Sequence, residues 1–296
     1  MEFGKHGTFY IRNGWISKGI NVIENEDKKT IFSPKHMEYA IDCLGIGQAM
    51  VASLRYWLDV FGITYEKKEN NEIIKEFTEF GKFIKEKDRY LERKGTLWLL
   101  HYNLANKKEE ATAWYWFFNV FNYNEFDEAL FIQKLEDYIY QNSYKKISVN
   151  TLKKDFLCLK NTYLFENYDN HNTDFEEMIS SPLKELKLIT VSTNNNMYIK
   201  NKGNLNEIAP EIFYYTIIVK LGDEIRQVSI DDIAYKEGFP GKIFNLSIND
   251  VFEMLNVIES KNYIKINRKY GDNHIEILER DVKKVLNNYY SNKKLD

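Results

Sequence analysis

The chain has 296 residues, 44% apolar and 15% aromatic, which is enough to bury a sizeable core and too apolar for intrinsic disorder. Its 41 Lys and Arg stand against 44 Asp and Glu, a net charge of −3, so no global positive field draws it onto nucleic acid and any such contact must come from local patches. No apolar run approaches the roughly 18 residues of a membrane span, an apolar signal region is missing near the start, and Cys43 and Cys158 have no metal-ligand spacing. These features predict a cytoplasmic protein with reduced, buried thiols and no membrane partner.

Residues 1–23 are punctuated by glycine and carry Lys5, His6, Arg12 and Lys18 among Phe3, Phe9, Tyr10 and Trp15. The glycines argue against a helix, so short extended pieces or a structured loop are expected. His6, Arg12 and Trp15 could grip DNA as an arm, Arg offering a planar fork and Trp a stacking face. The alternative is an arm that lies on the domain and buries its aromatics.

Ser33-Pro34 opens a helix with a cap and then proline at the first position. The break Leu44-Gly45-Ile46-Gly47 leads into a second helix over 48–61, with Met50, Leu54, Trp57, Leu58 and Phe61 on one face and Gly62 as its stop. This is a helix-turn-helix pattern whose outward polar candidates are Gln48, Ser53 and Arg55. Residues 72–87 read as a charged helix. Residues 96–105 and 111–121 hold Trp98, Trp114, Trp116, Phe117 and Phe118 and are apolar nearly all round, which marks buried helices. They form the expected core, and His101 within it reads as a satisfied core histidine.

The pattern repeats over 125–141, where Phe131, Leu135, Tyr138 and Ile139 follow helical spacing, and over 151–164, with Asn150 as its cap. The second helix buries Leu152, Phe156, Leu159 and Tyr163 and turns Lys153, Lys154, Lys160 and Asn161 outward. Residues 183–191 and 197–200 then bracket the turn-forming run Thr193-Asn194-Asn195-Asn196. Helix, turn, helix, hairpin is the order of a winged helix, and outward lysines and amides suit a helix entering a major groove. The alternative is a packed helical unit with a solvated lysine face.

A third repeat follows a buried helix over 208–219. Ser229 to Tyr235 is a short helix, and Ser247 with Asp250 forms a capping box for a helix over 248–259. Two alternating segments, 263–267 and 274–278, flank a turn at 269–273. Lys265, Arg268 and Lys269 on this wing suit phosphate contacts. A last amphipathic helix covers 280–288. The expected fold is mainly α with small β-hairpins: tandem winged-helix-like units around an aromatic helical core. Its divisions are 1–122 (arm, first helix-turn-helix and core), 123–220 (central unit) and 221–296 (C-terminal unit).

Phosphate-loop, zincin and nucleophile-elbow motifs are absent. The carboxylate-x-Lys triplets at Glu66, Glu92 and Glu185 arise by chance in a chain this rich in Glu and Lys. Asp88 and Glu92 share helical spacing and read as a charged face before a metal site. No cofactor is evident, and Mg2+ or Mn2+ enters only if the protein nicks DNA.

Several stretches together resemble a known family: His6-Gly7-Thr8-Phe9, Arg12-Asn13-Gly14-Trp15, Leu44-Gly45-Ile46-Gly47-Gln48-Ala49-Met50, Gly95-Thr96-Leu97-Trp98-Leu99-Leu100-His101 and Trp114-Tyr115-Trp116-Phe117-Phe118-Asn119. So do Arg55-Tyr56-Trp57, Thr151-Leu152-Lys153-Lys154-Asp155 and Pro210-Glu211-Ile212-Phe213. They resemble the bacterial family DUF4007, a domain of unknown function, over nearly the whole chain. The family opens on Gly-His-Glu-Thr-Phe; here Lys5 replaces the glycine and Gly7 the glutamate. The resemblance extends to the SspB-type component of single-strand DNA phosphorothioation systems, which is regarded as a DNA-nicking protein. It implies a setting in sulfur modification or phage defence, and with the three helix-turn-helix patterns the expected function is a DNA-binding component of such a system. The partners it implies are DNA and other phosphorothioation proteins (sulfotransferase-like enzyme, cysteine desulfurase, ATPase). The alternative function is a non-catalytic adaptor that binds the modification enzymes. No catalytic residue is carried over.

Overall fold

The structure is a computed structural model that describes residues 1–25, 29–142, 146–166, 180–193, 197–269 and 272–292. Its first ten residues coil around His6, with Gly4, Gly7 and Thr8 all at positive φ (67°, 60° and 76°). Gly14, at φ 78°, then starts α1 (Trp15–Ile23). The expectation of no helix in this stretch fails, because Trp15, Ile16, Ile20 and Ile23 bury one face against the next two helices. Tertiary packing overrides weak local propensity here. A Cβ on Gly19 would stand 2.9 Å from Leu58, so α1 lies close against its neighbour.

Helices α2 (Met37–Leu44) and α3 (Gln48–Val60) meet at the expected break, where Gly45 takes φ 63°. The expected helix over 72–87 is corrected. Strands β1 (Thr64–Glu69) and β2 (Glu72–Phe77) pair antiparallel, and α4 begins only at Glu79 and ends at Lys87. Asn70 and Asn71 both sit at positive φ, 50° and 62°. Two such residues in succession are what a two-residue hairpin turn demands. Lys75 then fixes the strand: its buried ammonium bonds Asp59 at 2.5 Å and Glu66 at 2.8 Å.

Helices α5 (Lys94–Ala105) and α6 (Thr112–Asn119) are the aromatic centre, and every residue of α6 is buried. Trp114 meets Trp57 of α3 edge to face at 5.6 Å. His101 is satisfied as expected: Nε2 donates to the Ile243 carbonyl (3.1 Å), which leaves Nδ1 to accept from the Tyr163 hydroxyl (2.8 Å). Burial pulls its pKa down to about 3, so the ring is neutral.

Around this centre a strand, a set of helices and a hairpin follow one another twice. Strand β3 (Glu125–Phe126), α7 (Glu128–Asn142), α8 (Val149–Tyr163), β4 (Leu164–Phe165), β5 (Ile189–Val191) and β6 (Tyr198–Lys200) give a sheet ordered β3-β6-β5-β4. After α9 (Pro210–Leu221) come β7 (Gln227–Ser229), α10 (Ile230–Tyr235), α11 (Pro240–Ile243), α12 (Ile248–Ser260), β8 (Ile264–Lys269) and β9 (Asp272–Ile277), ordered β7-β9-β8. In both units the strand before the helices pairs antiparallel with the last strand of the hairpin. Residues 125–126 are therefore strand, not helix. The cap of α8 is Ser148, which accepts from the Thr151 N–H at 3.2 Å, while Asn150 lies inside the helix. The capping box of Ser247 and Asp250 forms as expected. The expected turn at 194–196 and the tip at 270–271 lie outside the described residues. Finally α13 (Val282–Tyr290), which starts two residues later than expected, returns to α5, where Tyr290 bonds Thr96 at 2.6 Å.

Two buried polar residues tie the units together. His6 is fully buried; its Nδ1 accepts from the Thr8 N–H (3.1 Å), so Nε2 carries the proton and donates to Asp155 of α8 at 2.6 Å. The same carboxylate oxygen accepts from the Gly4 N–H at 2.9 Å. Lys200 of β6 donates to the Phe117 and Phe121 carbonyls (2.7 and 2.9 Å) at the end of α6. Burial, with Lys242 nearby, pulls that ammonium from 10.5 to about 7.

Both junctions can be tested by urea unfolding. Asp155→Ala strands the His6 and Gly4 donors and should cost about 2–4 kcal/mol, with Asp155→Asn, which keeps an acceptor, losing less; a loss below about 1 kcal/mol would contradict the junction. For Lys200, the unfolded chain keeps a proton between about pH 7 and 10.5 that the folded chain has shed, so its contribution to stability rises with pH across that window. Relative to Lys200→Met, the wild type should gain about 3 kcal/mol between pH 7 and 10; a difference that is flat with pH would refute the burial-lowered pKa of Lys200.

Candidate nucleic-acid interface

Helix α8 is built with two faces. Leu152, Phe156, Leu159 and Tyr163 are buried as the spacing predicts, and Asp155 lies among them in the bond to His6. That leaves one arc open to solvent. Lys153 and Lys154 are exposed on it, and Lys160 and Asn161 are half-exposed. Leu157, 44% exposed, lies between the lysines.

The lysines differ in what they touch. Lys153 sits 3.3 Å from Glu128 of α7, a pair open to water and therefore weak. Lys160 lies 5.5 Å over the ring of Tyr198 on β6. Lys154 has no ion-pair partner among the described residues. Between α7 and α8 runs an open groove of about 610 Å3. Phe156 and Tyr198 are at its floor, Lys153 and Lys160 on the α8 side, and Asp127, Glu128 and Glu136 on the α7 side.

The N-terminal arm does not join this surface. His6 and Trp15 are both buried, so neither has a face to offer a ligand. Arg12 stays half-exposed, its guanidinium 5.7 Å over the rings of both Tyr10 and Trp15. The backbone of Phe9 is clamped to α3 by the Trp57 N–H (3.0 Å) and the Ser53 hydroxyl (3.2 Å). Ser53, expected to point outward, is thus inside. The arm lies on the domain as the alternative reading had it, with Trp15 buried and Phe3, Phe9 and Tyr10 half-buried against the core.

Elsewhere the predicted basic residues are dispersed. Arg55 holds Glu66 through two bonds, one of 2.6 Å. Burial raises the Glu66 carboxyl, but Arg55 and Lys75 outweigh it and hold the group well below the usual carboxylate range. A Glu66 so committed is a structural anion, not part of a nuclease triplet. Lys265 and Arg268 are exposed on the C-terminal hairpin, where Arg268 reaches Asn256 of α12 at 2.9 Å. The Lys269 side chain lies outside the described residues. Asp88 is buried and accepts from the Glu92 N–H (2.9 Å), the Arg93 N–H (3.1 Å) and Thr96 (2.5 Å), which fixes the turn into α5. Among the described residues, no three His, Cys, Asp or Glu side chains form a cluster able to hold a metal ion.

Two of the residues that matter here carried little signal in the sequence. Glu128 and Tyr198 come to Lys153 and Lys160 from distant positions, which no local spacing reveals. Asp155 did carry one: an acid inside an apolar helical stripe must find a buried partner.

The chain is similar to two solved structures. It superposes on an "SspB crystal structure" with TM-score 0.85 and 23% identity, covering 98% of this chain and 88% of that one. A "Magnesium ion-bound SspB crystal structure" gives TM-score 0.84 and 24% identity over the same shares. At these identities the likeness shows a shared fold. No curated protein matches the chain. The model of the family described as a protein of unknown function, DUF4007, matches residues 3–290, and the chain belongs to that family.

Proposed function

We propose that the chain is a DNA-binding component of a bacterial DNA phosphorothioation system, built from winged-helix-like units and contacting DNA through the outer face of α8. One observation carries this reading: Lys153, Lys154, Lys160 and Asn161 share the open arc of a helix whose opposite side is locked into the core. A cationic face on a rigid helix is what phosphate contact needs in a protein whose net charge is −3. In both the central and C-terminal units a strand, then helices, then a hairpin follow in order, which supports the winged-helix assignment, since α8 and α12 then stand where a recognition helix would. Membership of DUF4007 and the fold shared with SspB support the link to phosphorothioation. The reading is confined to binding.

A second reading has its own support. Leu157 and Val149, 44% and 45% exposed, interrupt the lysine face, and Glu128 partly neutralises it. That mixture suits an adaptor surface for a partner enzyme.

The test is the double variant Lys153→Glu/Lys154→Glu, followed by fluorescence anisotropy on a labelled duplex over a salt series. Binding should weaken, and the salt dependence should flatten by about one unit per lost phosphate contact. A double variant that binds as the parent does would refute the α8 assignment. Co-purification with a modification enzyme that survives nuclease treatment and is lost in Leu157→Asp would favour the adaptor.

A further inference from the structure

The groove beside α8 is lined in a way that phosphate contact alone does not explain. Its α8 side carries Lys153 and Lys160, but its α7 side carries Asp127, Glu128 and Glu136. A phosphate backbone lying in it would meet three carboxylates across an open channel. Its floor is aromatic: the Phe156 and Tyr198 rings lie 6.1 Å apart, with Phe156 buried and Tyr198 half-exposed. The Lys160 ammonium rests 5.5 Å over the Tyr198 ring, so that face meets a mobile side chain instead of packed protein.

We propose that this groove holds an unpaired nucleobase bearing an exocyclic amine; the proposal rests on the DNA-binding reading of α8 and names a subsite for it. A neutral base escapes the repulsion a phosphate would meet. Its flat face stacks on Tyr198, as bases stack on exposed aromatics in single-strand binding proteins. Its amine donates to Glu128 or Glu136, the pairing by which carboxylates read the cytosine amino group. Lys160 leaves the ring and, with Lys153, takes the phosphates on either side of the inserted nucleotide. A volume of about 610 Å3 falls within the range of small-ligand sites. In a duplex the amine is already paired and the ring already stacked, so the nucleotide must be extruded or come from a single strand. The charge arrangement favours this occupant over an apolar peptide, which would offer no donor to the α7 carboxylates and no anion to Lys153 and Lys160.

The experiment is anisotropy with short labelled oligodeoxycytidine, oligodeoxythymidine and a mixed duplex, at one salt concentration. The proteins compared are the wild type, Tyr198→Ala, Tyr198→Phe and Glu128→Ala/Glu136→Ala. Oligodeoxycytidine should bind about fivefold or more tightly than oligodeoxythymidine, which has no exocyclic amine. Tyr198→Ala should lose most single-strand binding and keep duplex binding. Tyr198→Phe, which retains the stacking face, should behave as the parent, separating loss of stacking from loss of fold. The carboxylate double variant should bind both oligonucleotides more tightly and no longer distinguish them. Equal binding of the two oligonucleotides by the wild type, a preference that survives without the carboxylates, or parent-like single-strand binding by Tyr198→Ala each overturns the subsite while leaving the α8 reading intact. Failure to bind DNA of any kind at low salt overturns both.

Discussion

A single bond closed off from water, 2.6 Å between His6 and Asp155, fixes where α8 can sit. The acid lies one position before Phe156 on the inner face of the helix, so α8 cannot rotate without exposing an apolar side chain or stranding a buried carboxylate. Leaving such a group unpaired costs more than a typical surface interaction contributes. The arm that supplies His6 is itself clamped to α3 through the Phe9 carbonyl. The N-terminal residues therefore act as a strap joining α3, α6 and α8, and the lysines face outward because everything opposite them is committed.

A second constraint acts from the other side of the central unit. Lys200 reaches from β6 to the carbonyls at the end of α6, a buried amine satisfied by the negative end of a helix instead of by a carboxylate. Tyr198, two residues earlier on the same strand, is set beside α8 by that anchor. The groove is thus bounded by elements held from two directions: α8 by the arm, and β6 by the core. Rigid walls of this kind are what a binding surface requires.

Much of the fold could be read from local pattern. Helices α5 and α6 announced themselves by apolar residues on every side, and α12 by the Ser247–Asp250 box. Strands β8 and β9 did so by alternating isoleucines. These signals are local, and tertiary contacts do not compete with them. The hairpin of β1 and β2 was missed because its strands are charged, Tyr65 to Glu69 being exposed, and its Asn70-Asn71 turn lacks a glycine. Helix α1 was missed because its stability comes from burial against α2 and α3, not from propensity. The lysine face of α8 was legible from helical spacing. What the spacing could not show is the carboxylate wall opposite it, or that His6 and Trp15 lie inside, since His6 and Asp155 are 149 residues apart.

The two units differ in what they show to solvent. Helix α12 of the C-terminal unit carries no lysine and exposes Glu253, Asn256 and Val257. The cationic helix face is thus confined to one unit, and a net charge of −3 says nothing against such a local site. The most direct measurement is the affinity of the wild-type protein for a labelled duplex across a salt series without divalent ions. With three lysines on the α8 face, the account predicts a binding constant that falls with salt at a slope of about −2 to −3 on logarithmic axes. Affinity that does not change with salt, or no binding even at low salt, would contradict it.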